Sequence, residues 1–89
     1  MDITHIDNLL PEPRTLRTIA YDIRRNWPNV NYAAEPYLSA MATLERITDN
    51  YLYDSGVSIV LYFLSNARTW KGEHAKRIKA ELKAMVKGR

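Results

Sequence analysis

The chemistry this chain can offer is concentrated near its end. Residues 68–89 carry eight cations (Arg68, Lys71, Lys76, Arg77, Lys79, Lys83, Lys87 and Arg89) against two carboxylates, Glu73 and Glu81, a local charge of +6. Residues 1–67 carry five Arg/Lys and eight Asp/Glu, a charge of −3. A mildly acidic body with a basic end points to an anionic partner or to a head-to-tail arrangement of copies. Lys71, Lys76, Arg77, Lys79 and Lys83 can lay cations along phosphates, and Trp70 and the tyrosines can stack on single-stranded bases. Base reading in a duplex groove is a poorer match. The basic segment has Lys and Arg but no Asn or Gln, so its contacts would be to the backbone. Lys79 and Lys83, four apart on a helix, repel one another rather than forming a pair.

A second group is aromatic. The chain has six tyrosines and two tryptophans. Tyr51, Leu52 and Tyr53 fall in a connection between helical segments, where burial is hardest. Tyrosine is enriched at interface hot spots. The alternative is that Tyr51 or Tyr53 folds back as a lid over the core with its hydroxyl in water.

Other chemistries find little support. The chain has no cysteine, which removes disulfides, thiolate nucleophiles and cysteine-ligated metal together. Its two histidines, His5 and His74, are far apart and neither has a second ligand at metal spacing. Glu73 neighbours His74, but adjacent helical residues point in different directions. Ser39, Ser55, Ser58 and Ser65 lack a nucleophile-elbow context. Gly56, Gly72 and Gly88 are isolated, so no phosphate loop is present. The expectation is a non-enzymatic protein with no cofactor and no metal.

The elements that must position these residues are helical. Leu16, Ile19, Ala20 and Ile23 recur at helical spacing, which predicts a helix over about 14–26. Trp27 extends its face, and Pro28 ends it. Pro36 suits the first turn of a second helix starting near Glu35. Tyr37, Ala40, Met41, Leu44 and Ile47 predict that this helix reaches Thr48–Asn50. Asp54 or Ser55 caps a third helix over about 55–67. Its residues Val57 to Leu64 leave almost no polar face, so it is expected to be central and buried. Thr69 is the expected cap of a fourth helix over about 70–86, with its seam at Ala75, Ile78, Leu82 and Met85. Short connections favour antiparallel neighbours. The expected fold is therefore all-α, a compact four-helix bundle. Residues 1–13, with Pro11 and Pro13, form a lead-in, and 14–89 a single helical domain. The expected core is Leu16, Ile19, Ile23, Met41, Leu44, Val57, Val60, Leu61, Leu64, Ile78 and Leu82.

Composition sets the class. In 89 residues with 46% hydrophobic content and few Gly or Pro, disorder and low-complexity classes are excluded. Met1 to Leu10 carries Asp2 and Asp7 and no basic stretch, unlike a signal peptide. The run Val57–Leu64 is far short of the roughly 20 residues of a membrane span. With no disulfide chemistry, these features lead to the expectation of a cytoplasmic protein away from membranes.

The stretch from Tyr51 to Lys87 also carries a resemblance. Tyr53-Asp54-Ser55, Val60-Leu61-Tyr62-Phe63-Leu64-Ser65-Asn66-Ala67, Thr69-Trp70-Lys71-Gly72-Glu73 and Ala75-Lys76-Arg77-Ile78-Lys79-Ala80-Glu81-Leu82-Lys83 resemble a family of small uncharacterised bacterial proteins encoded on phages, plasmids and other mobile elements. Arg24-Arg25-Asn26-Trp27 and Ala34-Glu35-Pro36-Tyr37-Leu38 fit as well, so the likeness covers about 16–87. That family favours glycine where this chain has Leu52. It has no activity to transfer. What the resemblance implies is an origin among small proteins that act by binding, some of them inhibitors of host nucleases or CRISPR complexes. DNA-mimicking inhibitors are acidic, and this basic-ended chain does not fit that route. The leading expectation is an interaction module that binds a host protein or ribonucleoprotein through Tyr51, Leu52, Tyr53 and the basic fourth helix, as an inhibitor of host defence. The alternatives are an accessory nucleic-acid-binding protein and a self-assembling homo-oligomer.

Overall fold

The computed structural model describes residues 13–88. The expected features within 1–12, His5 included, lie outside the described residues. The described chain forms four helices and one small antiparallel hairpin, so it is helix-rich but not purely all-α. The elements are α1 (Leu16–Asn26), α2 (Glu35–Met41), β1 (Asn50–Tyr51), β2 (Asp54–Ser55), α3 (Gly56–Ser65) and α4 (Glu73–Lys87). Helix α1 packs on α2 and α4, and α3 packs on α2, α4 and both strands.

Helix α1 begins two residues after the expected Arg14, at a threonine cap. Thr15 is extended, and its hydroxyl accepts the Thr18 N–H at 3.1 Å. Two more first-turn donors are satisfied from elsewhere in the chain. Leu16 N–H donates to the Glu45 carbonyl and Arg17 N–H to the Leu44 carbonyl, both at 2.9 Å. This explains why α2 stops at Met41, six residues before the expected Ile47. A continuing helix would turn those carbonyls along its own axis. Instead the chain tightens, with Thr43 N–H on the Ala40 carbonyl and Leu44 N–H on the Met41 carbonyl. Leu44 is still buried and Ile47 partly so, so the apolar stripe served packing without being helical to its end.

The hairpin pairs Asn50 with Ser55 and Tyr51 with Asp54. It grows from a turn held by Asp49, whose carboxylate accepts the N–H groups of Arg46 at 2.9 Å and Glu45 at 3.2 Å. These bonds hold its pKa below the ordinary carboxylate value. The Asp49 carbonyl accepts the Gly56 N–H at 2.6 Å. Ser55 then caps α3, its hydroxyl accepting the Ser58 N–H at 3.1 Å. Gly56 is buried against the preceding turn, and a Cβ there would lie 2.6 Å from the Ile47 carbonyl oxygen.

Helix α3 is not enclosed as expected. Gly56, Ile59, Val60 and Phe63 are buried, but Leu61 and Tyr62 are nearly half exposed, and Val57 and Leu64 are intermediate. Only one face of α3 meets the core. Helix α4 begins at Glu73 rather than Trp70, with Gly72 at φ 108° in the capping position and no side-chain cap. The delay has a cause: Trp70 turns inward. Its ring stacks on Trp27 at 5.3 Å, nearly parallel, and its Nε1–H donates to the Asn26 carbonyl at 3.3 Å. Trp27 also meets Phe63 edge-on at 6.2 Å. Buried aromatics of this size dominate core energetics. Of the expected core residues, Leu16, Ile19, Ile23, Met41, Leu44, Val60, Ile78 and Leu82 are buried. Trp27, Leu38, Ile59, Phe63 and Trp70 join them.

Candidate binding surfaces

The hairpin turns through two residues, Leu52 and Tyr53, between the paired Tyr51 and Asp54. Two-residue hairpin turns need positive φ at the first central position, which is why glycine or asparagine is preferred there. Leu52 occupies that position at φ 57°, the only non-glycine residue with positive φ among those described. Its Cβ makes that conformation costly. Leu52 is 80% exposed and Tyr53 fully so. Tyr51 sits lower on the hairpin and is about one-third exposed. Tyr53 is therefore not a lid over the core. The tip presents a leucine and a tyrosine to water at a strained turn.

The cations of α4 divide into two sets. Arg77 is tied into a network across to α1. It donates to the Asp22 carboxylate at 3.1 Å and to His74 Nδ1 at 2.9 Å. Arg14 donates to the same Asp22 oxygen at 2.9 Å and grips Glu81 at 2.6 and 2.9 Å. The Arg77 guanidinium, then Arg14, holds the Asp22 carboxyl below its ordinary pKa. The same pairing, with Glu81 contributing most, raises that of Arg14. Lys79 is also engaged. Its ammonium donates to the Trp70 carbonyl at 2.6 Å and lies 5.9 Å from the centre of the Trp70 ring. Burial, then repulsion from Lys71 and Lys83, lowers its pKa. Lys76 and Lys83, with Lys71 just before the helix, are exposed, and their side chains make no hydrogen bond or ion pair with the described residues.

Compared with known proteins, the chain matches no family model, no curated protein and no solved structure. The surfaces themselves must carry any reading of function.

The expected site residues do not converge on one place. An open concavity of about 730 Å³ at the start of α4 is lined by Arg68, Trp70, Lys71, Gly72, Glu73, Ala75, Lys76 and Lys79. None of these comes from the hairpin. Trp70 enters only as its floor: at 4% exposure and stacked on Trp27, it has no face left for a nucleic-acid base. Sequence reasoning missed Arg68, which belongs to this basic surface through the loop before α4. It also missed the Arg14–Asp22–Arg77 network, although Glu81 lies four residues after Arg77 and signalled an ion-paired face. In the structure Glu81 serves Arg14 instead.

Several of the other polar groups are structurally occupied. Ser55 caps α3. Glu35 pairs with Arg24 at 2.5 Å, which lowers its pKa, and accepts from Ser39. Among the described residues no three His, Asp or Glu side chains gather where a metal ion could sit. No described helix is long and apolar enough to cross a membrane.

Proposed function

We propose that this chain is a non-enzymatic interaction module that docks on a host protein or ribonucleoprotein. The supporting observation is the hairpin tip. Leu52 and Tyr53 are exposed apolar side chains on a turn that the leucine strains, and local strain of this kind collects at binding and switch sites. The fold itself makes no use of either side chain for packing. The free lysines of α4 would add electrostatic attraction at the rim of the contact and speed encounter. In this reading the chain originates from a mobile element and inhibits host defence by occupying the surface it binds. On the same reading it works in the cytoplasm, without cofactor or metal.

The test is affinity capture from a bacterial host lysate with the parent chain and with Tyr53→Ala, which changes a fully exposed side chain. A partner held by the parent and lost with Tyr53→Ala is the expected result. Recovery of the same proteins by both, or of none by either, would refute the hairpin as a docking element.

A second reading, an accessory nucleic-acid-binding protein, is favoured by the concavity that gathers Arg68, Lys71, Lys76 and Lys79. The lysine face of α4 as a whole fits less well, because Arg77 is already paired with Asp22.

A further inference from the structure

Two loops meet at the end of the molecule away from the Leu52–Tyr53 turn. One joins α1 to α2 and the other joins α3 to α4. The Trp27–Trp70 stack, the Trp70 Nε1–H bond to the Asn26 carbonyl and the Asn31 amide bond to the Asn66 carbonyl at 3.1 Å hold them together. Tyr32 follows Asn31 directly and is 92% exposed, the most exposed aromatic after Tyr53. Arg68 lies two residues past Asn66, and with Lys71, Lys76 and Lys79 it lines the open concavity beside it. Glu73 is the single carboxylate there, and no ion pair joins it to the described residues. The cations therefore share one carboxylate among them; burial is the main cause of the lowered Lys79 pKa, and repulsion from Lys71 adds to it.

We infer that this end of the molecule binds single-stranded nucleic acid, with Arg68, Lys71 and Lys76 on successive phosphates and the Tyr32 ring stacked on a base. The inference rests on the second reading above and gives it a site and a ligand class. Phosphates supply the counter-charge that the cluster lacks. The tyrosine is what separates a single strand from other polyanions, since unpaired bases offer a face to stack on and a duplex does not. Lys79 acts differently: its ammonium is held on the Trp70 carbonyl and fixes the loop that carries Arg68 and Lys71. The tryptophan pair is the scaffold of this surface and not its base-binding element.

The experiment is fluorescence anisotropy of the whole chain with labelled dT12, rU12 and a 12-base-pair duplex at 50–300 mM salt. Poly-glutamate serves as a competitor. The expected result is binding to the single strands with log K falling against log salt at a slope near −2, as for about three neutralised phosphates. Tyr32→Ala is expected to weaken single-strand binding by about tenfold, and Tyr32→Phe, which keeps the ring, to restore most of it. Arg68→Ala combined with Lys71→Ala should flatten the slope, while Tyr53→Ala should leave binding unchanged. Matching circular dichroism spectra would show that each variant is folded. Salt-sensitive binding that prefers the duplex, or is indifferent to Tyr32, would overturn this inference and leave the second reading standing. Poly-glutamate competing as well as dT12 would assign the surface to an acidic protein instead. No binding at 50 mM salt would overturn both.

Discussion

Gly56→Ala sets two physical effects against each other. Alanine is the better helix former by about 0.8–1 kcal/mol in a helix interior, and Gly56 is the first residue of α3. Propensity alone therefore makes the substitution stabilising. The structure says otherwise. The new Cβ would stand 2.6 Å from the Ile47 carbonyl oxygen, 3.0 Å from its carbon and 3.1 Å from the Arg46 carbonyl oxygen. All three are backbone atoms, so no side chain can rotate aside. The Arg46–Asp49 turn that holds them is itself pinned by the Asp49 carboxylate. Relief requires α3 to move off the turn, which stretches the 2.6 Å bond from Gly56 N–H to the Asp49 carbonyl. Overpacking costs about 1–3 kcal/mol and a lost hydrogen bond about 0.5–1.5 kcal/mol. The gain in propensity is at its smallest in the first turn. A net loss of about 2 kcal/mol is expected. With a urea m-value of about 1–2 kcal/mol/M for a chain this size, the midpoint should fall by about 1–2 M, followed by circular dichroism at 222 nm. Gly72→Ala gives a comparison of different origin, since its Cβ would meet nothing but its φ of 108° is strained for alanine; about 1–2 kcal/mol is expected there. If Gly56→Ala is as stable as the parent, the close approach of α3 to the Ile47 carbonyl is refuted.

Three further outcomes follow from the same geometry. Leu52→Gly should raise the melting temperature by a few degrees, since relief of about 1–2 kcal/mol of left-handed strain exceeds glycine's added chain entropy of about 0.4–1 kcal/mol; a lower melting temperature would contradict the turn. Trp27→Ala and Trp70→Ala should each cost about 3–5 kcal/mol, with a coupling of about 0.5–1.5 kcal/mol in a double-mutant cycle, and strict additivity would deny the stack. The carboxyls of Asp22, Glu35 and Asp49 are depressed in the folded state. Their contribution is thus complete above the ordinary carboxylate range and disappears as pH falls through their folded values. Urea titrations should show stability dropping below about pH 4, and Asp22→Asn should flatten that slope by removing one of the three.

Periodicity told more about which residues are buried than about where helices end. The face Leu16, Ile19, Ala20 and Ile23 and a cap at Asp54 or Ser55 depend on local spacing and chemistry, and the structure has that face buried and Ser55 as the cap. Leu44 and Ile47 keep the right spacing but not the helix, because the end of α2 is set by the orphan N–H groups of α1, a demand that Leu16 places on Glu45 and Arg17 on Leu44 from a distant stretch of chain. Trp70 looked like the first residue of a helix and an exposed stacking platform. Its fate depended on Trp27, and no local window holds both. Val57–Leu64 reads as buried all round because hydrophobicity alone does not count how many neighbours are available to cover a helix. In the candidate surfaces, the sequence leaves the Tyr51–Tyr53 connection open between an exposed tip and a lid over the core, and the structure has Leu52 and Tyr53 exposed. The division of α4 cations into paired and unpaired was not legible, because it turns on Asp22 and Glu81 approaching from other segments. Tyr32 and Arg68 carry no spacing signal at all; their loops come to one end of the molecule only through the Asn31–Asn66 bond and the tryptophan stack.

The bonds from Leu16 and Arg17 to the carbonyls of Glu45 and Leu44 change how this molecule comes apart. The leading turn of a helix ordinarily frays first, since its amides have no partner within the helix. Here those two amides are latched to a distant stretch of chain, so releasing them means detaching the segment after α2 as well. Their protons should exchange with solvent at the pace of the whole fold rather than of a loose end, which makes the beginning of α1 one of its most durable places.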